Sequence, residues 1–153
     1  MASPAAPQSA YLVERLRTRN EVNLFDAVKM RLVAAALRRV APDKPRVLDL
    51  GCAGRSATRH LGRLGVEHSY FGVDYEADLG PDLVADLREP GSIAPHLPWS
   101  PDVVFLLDVL EHLDPPEESI ERVLDACRSL LAPGAPVVIT VPHNYRLDRL
   151  KLS

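Results

Sequence analysis

The sequence predicts an α/β fold, an open and mainly parallel sheet with helices on its faces. Short apolar runs of strand type recur at 46–50, 70–73, 82–85, 101–107 and 136–141, and segments of helical spacing separate most of them. Four of the runs have an acidic residue at or near their end: Asp49, Asp74, Asp86 and Asp108. Strands alternating with helices imply parallel strands in right-handed crossovers. In such sheets ligands bind outside the carboxyl ends of the strands, where the strand order reverses.

The elements follow in order. Residues 1–9 read as a disordered leader, and Met1–Gln8 has no basic stretch followed by an apolar run, so no signal peptide is expected. Tyr11 to Val40 is helical in pattern with a break near Thr18–Asn20. In its second half Val22, Phe25, Val28, Met30, Leu32, Val33, Ala36 and Leu37 make a broad apolar stripe that Pro42 stops. Arg46–Leu50 is a buried-type strand ending at Gly51, followed by a glycine-containing loop and a helix from about Ser56 to Leu64, closed by Gly65. Tyr70–Val73 ends at Asp74 and Asp82–Ala85 at Asp86; only a loop fits between Asp74 and Leu83, so this crossover lacks its helix. Pro101–Leu107 is the most apolar strand and ends at Asp108. Asp114-Pro-Pro-Glu117 predicts a helix start with Asp114 as the cap, and Pro133-Gly134 closes that helix before the last strand, Pro136–Val141. No repeat or linker divides the chain. A single domain over 10–153 is expected, with N-terminal helices in 10–40 and a ligand-binding core in 46–144.

Composition narrows the function. The 153 residues are 46% hydrophobic and 25% charged with a net charge of −3, which argues against a broad electrostatic grip on nucleic acid. An aromatic content of 5% argues against a base-stacking platform. Cys52 and Cys127 form no CxxC pair and read as reduced thiols of a cytoplasmic protein. The apolar run Leu32–Leu37 is too short to span a membrane, and no HxxxH or HExxH pair suggests a metal. High usage of Ala, Arg and Pro points to a GC-rich bacterial genome.

Four carboxylates at one rim are expensive to bury without partners and suggest a ligand rich in hydroxyls, amines or positive charge. Gly51-Cys-Ala-Gly54 lets backbone approach that ligand, and Asp74, about 20 residues on, stands where α/β nucleotide sites take ribose hydroxyls. The plainer reading is a tight strand–helix turn and a surface aspartate.

Four blocks carry a family resemblance. Val47-Leu-Asp-Leu-Gly-Cys-Ala-Gly54 resembles the VLDxGCGxG motif of class I S-adenosylmethionine-dependent methyltransferases, and Gly72-Val-Asp-Tyr75 resembles their second motif. Asp102 to Leu113, containing Asp-Val-Leu-Glu-His-Leu, is similar to the fourth motif of small-molecule members, and Leu130–Pro142 to their LxPGGxLxIxxP segment. The resemblance spans about Arg46 to Asn144 with the blocks in the family's order. It implies a Rossmann-like sheet of order 3-2-1-4-5 and S-adenosylmethionine as cofactor. It also implies methyl transfer to a small molecule, a lipid or a glycan precursor. By the same resemblance the Gly51, Cys52, Ala53 and Gly54 loop lies under the methionine moiety, with Asp49 supporting the loop or the ligand's amino group. Asp74 holds the ribose hydroxyls with Tyr75 beside the adenosine, Asp86 and Leu87 flank adenine, and Asp108 and Val109 line the cofactor near the transferred methyl.

The chain departs from the family in two places. Its glycine loop is one residue shorter than GCGxGR or has the middle glycine replaced, leaving Arg55 and Ser56 where the next helix begins. The family's two further strands, six and seven, are missing before Ser153, which suggests a truncated or minimal core whose open edge a homodimer partner or another protein covers. His112 is a candidate base toward an acceptor hydroxyl, with a cofactor-shell or structural role as the plainer reading; His143 is a second rim candidate. Cys52 and Cys127 read as packing thiols, Trp99 as a packed turn before the fourth strand, and Arg38, Arg39, Arg146, Arg149 and Lys151 as solvated charge. The rival readings are a non-catalytic S-adenosylmethionine-binding or scaffold domain and a nicotinamide-dependent oxidoreductase. The latter requires a G-x-G-x-x-G that the loop lacks.

Overall fold

The computed structural model describes residues 24–142. The expected leader, the expected helix before residue 24, His143 and the basic stretch from Arg146 to Lys151 lie outside the described residues. Helix α1 spans Leu24–Val40, and its face of Met30, Val33, Ala34 and Leu37 is buried, the three- and four-residue spacing of a one-sided helix. Strand β1 (Arg46–Leu50) follows, then helix α2 (Ser56–Arg63), strands β2 (Ser69–Asp74) and β3 (Leu83–Val84), strand β4 (Val103–Leu107), helix α3 (Pro116–Leu130) and strand β5 (Val137–Thr140). The link from β2 to β3 holds only the short 3-10 turn Ala77–Leu79, as the spacing predicts.

The sheet has five strands in the order β3-β2-β1-β4-β5, all pairs parallel. β1 is central, buried on both faces, and lies at the switch point between β2 and β4. Alternation along the strands splits the core in two. Val47, Val103 and Phe105 pack against α1 and α2, whereas Leu48, Leu50, Val104 and Leu106 face α3 and the segment carrying Leu87 and Ile93. Asp49 shares the parity of Val47, so its side chain enters the α1/α2 layer. Trp99 sets its ring edge-on to Phe71 of β2, the packed turn expected there.

The start of α3 differs from expectation. Asp114 does not cap it; Pro115 is the cap residue, with ψ 141° and no side-chain cap hydrogen bond, and the helix begins at Pro116. A residue that precedes proline is kept out of the helical region, and Asp114 and Pro115 both do. Pro115 therefore stays extended and the helix starts one residue later. Strands β3, β4 and β5 are one or two residues shorter at their ends than their apolar runs suggest.

Gly72 on β2 stands opposite Asp49 in register, and the absence of a side chain there makes room for Cys52. A Cβ at Gly72 would meet Cys52 Sγ at 2.9 Å, Cys52 Cβ at 3.1 Å and Tyr70 Cε1 at 3.0 Å. Gly72→Ala is expected to cost about 1–3 kcal/mol of stability by overpacking. Cys52→Ala in the same chain should return part of that loss. Urea denaturation of the two single variants and the double variant measures the coupling, and strict additivity would contradict the packing described.

Candidate functional site

The site is the carboxyl rim of β1, β2 and β4. Asp49, one residue before the end of β1, is 2% exposed. Its Oδ2 accepts a 2.6 Å hydrogen bond from the Tyr70 hydroxyl, while its Oδ1 is buried and has no hydrogen-bond partner. Burial pushes the Asp49 carboxyl up to about 6; the Tyr70 hydroxyl opposes this, the Asp74 charge adds to it, and Lys29 and Arg55 oppose it from farther away. Burial, with the charge and hydrogen bond of Asp49, also raises the Tyr70 phenol, so Tyr70 remains a proton donor.

The loop after β1 carries a run of left-handed conformations: Gly51 at φ 80°, Ala53 at 38°, Gly54 at 72° and Arg55 at 62°. Ala53 takes a left-handed turn although it is not glycine. Ala53 and Arg55 are held left-handed at roughly 1–2 kcal/mol of steric cost for each non-glycine residue. Other contacts hold the shape. The Ala53 amide donates to Asp74 Oδ2 at 2.9 Å, and the Arg59 guanidinium donates to the Gly54 carbonyl at 2.6 Å. Arg55 lies 5.1 Å over the Tyr70 ring and pairs with Asp82 at 2.6 Å; Asp82 in turn accepts the Gly72 amide at 2.7 Å. The amides of Gly51 and Cys52 both go to the Val73 carbonyl and that of Arg55 to Cys52. Together with Ala53, these amides satisfy protein acceptors and do not form a phosphate cradle.

Asp74, also buried, accepts one backbone amide on each oxygen, from Ala53 and from Glu76 at 3.0 Å. Each oxygen retains a lone pair for another donor. Tyr75, next along, is 68% exposed. On the β4 side Val109 packs so tightly on Gly51 that a Cβ there would fall 2.5 Å from Val109 Cγ2. Asp108, at φ 56°, accepts from Thr140 Oγ1 at 2.7 Å and from Lys29 Nζ at 2.6 Å, and its own amide donates to the Thr140 carbonyl at 2.9 Å. Burial would raise this carboxyl, but the hydrogen bonds from Lys29 and Thr140 outweigh it and hold Asp108 below the usual carboxylate range.

Asp49, the Gly51–Gly54 loop, Asp74, Asp108 and Val109 are thus linked at one rim. Asp86 differs from the other acids: it is half-exposed and forks with Arg88, and that pairing holds its carboxyl low. Leu87 is buried in the core beside Ile93. The His112 ring is exposed, with Nε2 3.9 Å from Glu111. Burial, then the charges of Asp49 and Asp74, push the Cys52 thiol up to about 12, and burial pushes Cys127 to about 11, which fits packing thiols. Among the described residues no group of three potential metal ligands occurs, and no helix is long and apolar enough to cross a membrane. Sequence reasoning missed Lys29, Tyr70, Asp82 and Thr140. Only Tyr70 carried a signal, a polar aromatic in a strand otherwise apolar, two residues before a glycine.

A parallel sheet of this order, with a glycine loop and strand-end carboxylates at its switch point, defines the nucleotide-binding class of open α/β proteins. The family model described as a methyltransferase domain matches residues 20–152, and the chain belongs to that family. A ubiquinone biosynthesis O-methyltransferase from Xanthomonas campestris is 30% identical over 138 residues, covering 78% of this chain and 51% of the relative. The chain spans about half the length of the curated relatives it matches. Among solved structures, a SAM-dependent methyltransferase from Archaeoglobus fulgidus aligns at 27% identity and TM-score 0.56, over 88% of this chain and 59% of that one. A SAM-bound amino pentose methyltransferase from Micromonospora echinaspora aligns at 18% identity and TM-score 0.58, over 94% of this chain and 60% of that one, and shows the same fold.

Two outcomes follow from this geometry. Ala53→Gly relieves a left-handed alanine and should stabilise the protein by up to about 1 kcal/mol in chemical denaturation, without moving the loop. For Asp49 the folded carboxyl, at about 6, stands above its ordinary 3.8. Between these values the folded state holds a proton the unfolded chain has released, so stability falls as pH rises through that window and the loss is complete above it. Asp49→Asn should therefore raise ligand-free stability at neutral pH by on the order of 2–3 kcal/mol and flatten the slope between the two values. Denaturation midpoints measured across that window check this, and an undiminished slope in the variant would contradict the assignment.

Proposed function

We propose that the chain is the cofactor-binding core of an S-adenosylmethionine-dependent methyltransferase that acts on a small-molecule acceptor. One observation carries the reading: Asp49 Oδ1, buried beneath the glycine loop, has no hydrogen-bond partner. The donor set fits the cofactor. Asp49, Asp74 and Asp108 supply negative charge for a ligand bearing an ammonium and a sulfonium. Asp74 keeps one lone pair per oxygen that would take the two ribose hydroxyls, and the Gly51–Gly54 loop would carry the methionine moiety. Tyr75 would stand beside the adenosine, with Asp86 and Leu87 toward the adenine and Val109, packed on Gly51, toward the methyl.

When bound, the cofactor supplies an already activated methyl group for displacement. The chain's own residues align the ligand and exclude water. Lys29 and Thr140 hold Asp108, Tyr70 holds one oxygen of Asp49, and Val109 packs on Gly51 at the turn. His112 is the candidate for taking a proton from an acceptor hydroxyl, because its ring is exposed just beyond β4. O-methylation of a hydroxyl is the acceptor chemistry that the names of the curated relatives support.

Isothermal titration with S-adenosylmethionine and S-adenosylhomocysteine, with NADH as control, tests the reading. Micromolar binding of the first two and none of NADH is expected. Absence of binding to folded protein would sink it. Asp74→Asn replaces one acceptor by a donor and should weaken both cofactor ligands at least about tenfold.

A further inference from the structure

Lys29 lies on α1, outside every motif block, yet it is fixed at the rim. Its Nζ donates to Asp108 Oδ2 at 2.6 Å and is 3.3 Å from Asp26 Oδ1. Burial would lower this ammonium's pKa, but the hydrogen bond and charge of Asp108, with Asp26, raise it, so Lys29 carries a full charge at neutral pH. The pair is half-buried, the lysine side chain 25% and the aspartate 36% exposed, so solvent screens it less than an exposed ion pair. Three elements meet at Asp108: β4, which it follows directly, β5 through Thr140, and α1 through Lys29. The carboxylate is therefore immobile, and any ligand charge that reaches it shares it with Lys29.

We propose that Lys29 sets how strongly the site distinguishes the cationic cofactor from its uncharged demethylated product, by competing with the ligand's positive charge for the carboxylate of Asp108. The inference rests on the cofactor reading above, in which Asp108 lies near the transferred methyl. S-Adenosylmethionine and S-adenosylhomocysteine differ only in that methyl and its charge. A change that loosens the fold or misshapes the pocket weakens both ligands together. A change in the charge around Asp108 moves their ratio. Lys29 repels the sulfonium and withdraws part of the field of Asp108, so it lowers preference for the methylated form and keeps the two forms closer in affinity. Asp26 gives Lys29 a second anchor, so the lysine remains charged and held even where the Asp108 charge is removed.

The test is the ratio of the two dissociation constants, measured by calorimetry on the full chain and three variants, each shown to be folded by circular dichroism. Lys29→Gln keeps a hydrogen-bond donor but loses the charge, and should shift the ratio toward S-adenosylmethionine by roughly three- to tenfold. Lys29→Arg keeps the charge and should leave the ratio within about twofold of the parent. Asp108→Asn should move the ratio in the opposite direction. An unchanged ratio in Lys29→Gln, with both ligands still bound, overturns the proposal and leaves the cofactor reading intact. Failure of both ligands to bind the parent protein removes the cofactor reading, and this proposal with it.

Discussion

The constraint that organises this protein is the burial of one carboxylate on the central strand. Asp49 cannot turn to solvent, because β1 is covered on both faces and its own face lies beneath α1 and α2. A carboxylate so placed is destabilising unless its oxygens are served. The neighbouring strand answers with two residues of the same face. Tyr70 reaches across to give one hydrogen bond, and Gly72, opposite Asp49, leaves the space into which Cys52 folds. One oxygen remains without a donor. The structure thus tolerates a local cost that a ligand bearing an amine would offset, the usual relation between a strained interior and a binding function.

The loop above Asp49 follows the same logic. Its left-handed residues are held by contacts made elsewhere: Asp74 at the end of β2, Arg59 on α2, and the Arg55–Asp82 pair that joins the loop exit to the entry of β3. Asp74 serves two segments at once, since its Oδ2 accepts the loop amide of Ala53 and its Oδ1 the amide of Glu76 just past β2. Val109 against Gly51 couples the β4 exit to the same turn, so the rim behaves as one packed unit.

What the sequence revealed and what it hid divide along sequence separation. The five strands were legible because each is a short apolar run that stops at a charge or a proline, whereas their order came from the family resemblance of the motif blocks. The glycine loop was legible as a motif, although its altered middle position left the conformation open until Ala53 was seen at φ 38°. The cap of α3 was misread at Asp114 because two consecutive prolines delay the helix, a local steric rule that overrides the capping pattern. The pairing of Asp86 with Arg88 is local and could have been anticipated. Lys29 with Asp108, Arg55 with Asp82 and Thr140 with Asp108 are contacts across the fold, and nothing in the local pattern of an amphipathic helix marks one lysine as belonging to the rim.

The sign of the charge at this rim decides what the fold alone cannot, because open α/β sheets of this kind serve many chemistries. A dinucleotide site presents a helix N-terminus and free loop amides to a pyrophosphate. Here the amides of Gly51, Cys52, Ala53 and Arg55 are already bound to protein oxygens, and α2 opens at a left-handed Arg55 committed to Asp82. The acceptors with capacity left are Asp49 Oδ1, buried and without a hydrogen-bond partner, and the remaining lone pairs of Asp74, which would repel a phosphate chain and attract a cation. A rim with most of its loop amides bound internally and with unused carboxylate acceptors suits a ligand of hydroxyls and positive charge. The same geometry explains why no arginine or lysine at the rim is free to bind phosphate among the residues placed there: Arg55, Arg59 and Lys29 are each committed to a carboxylate or a carbonyl of the chain.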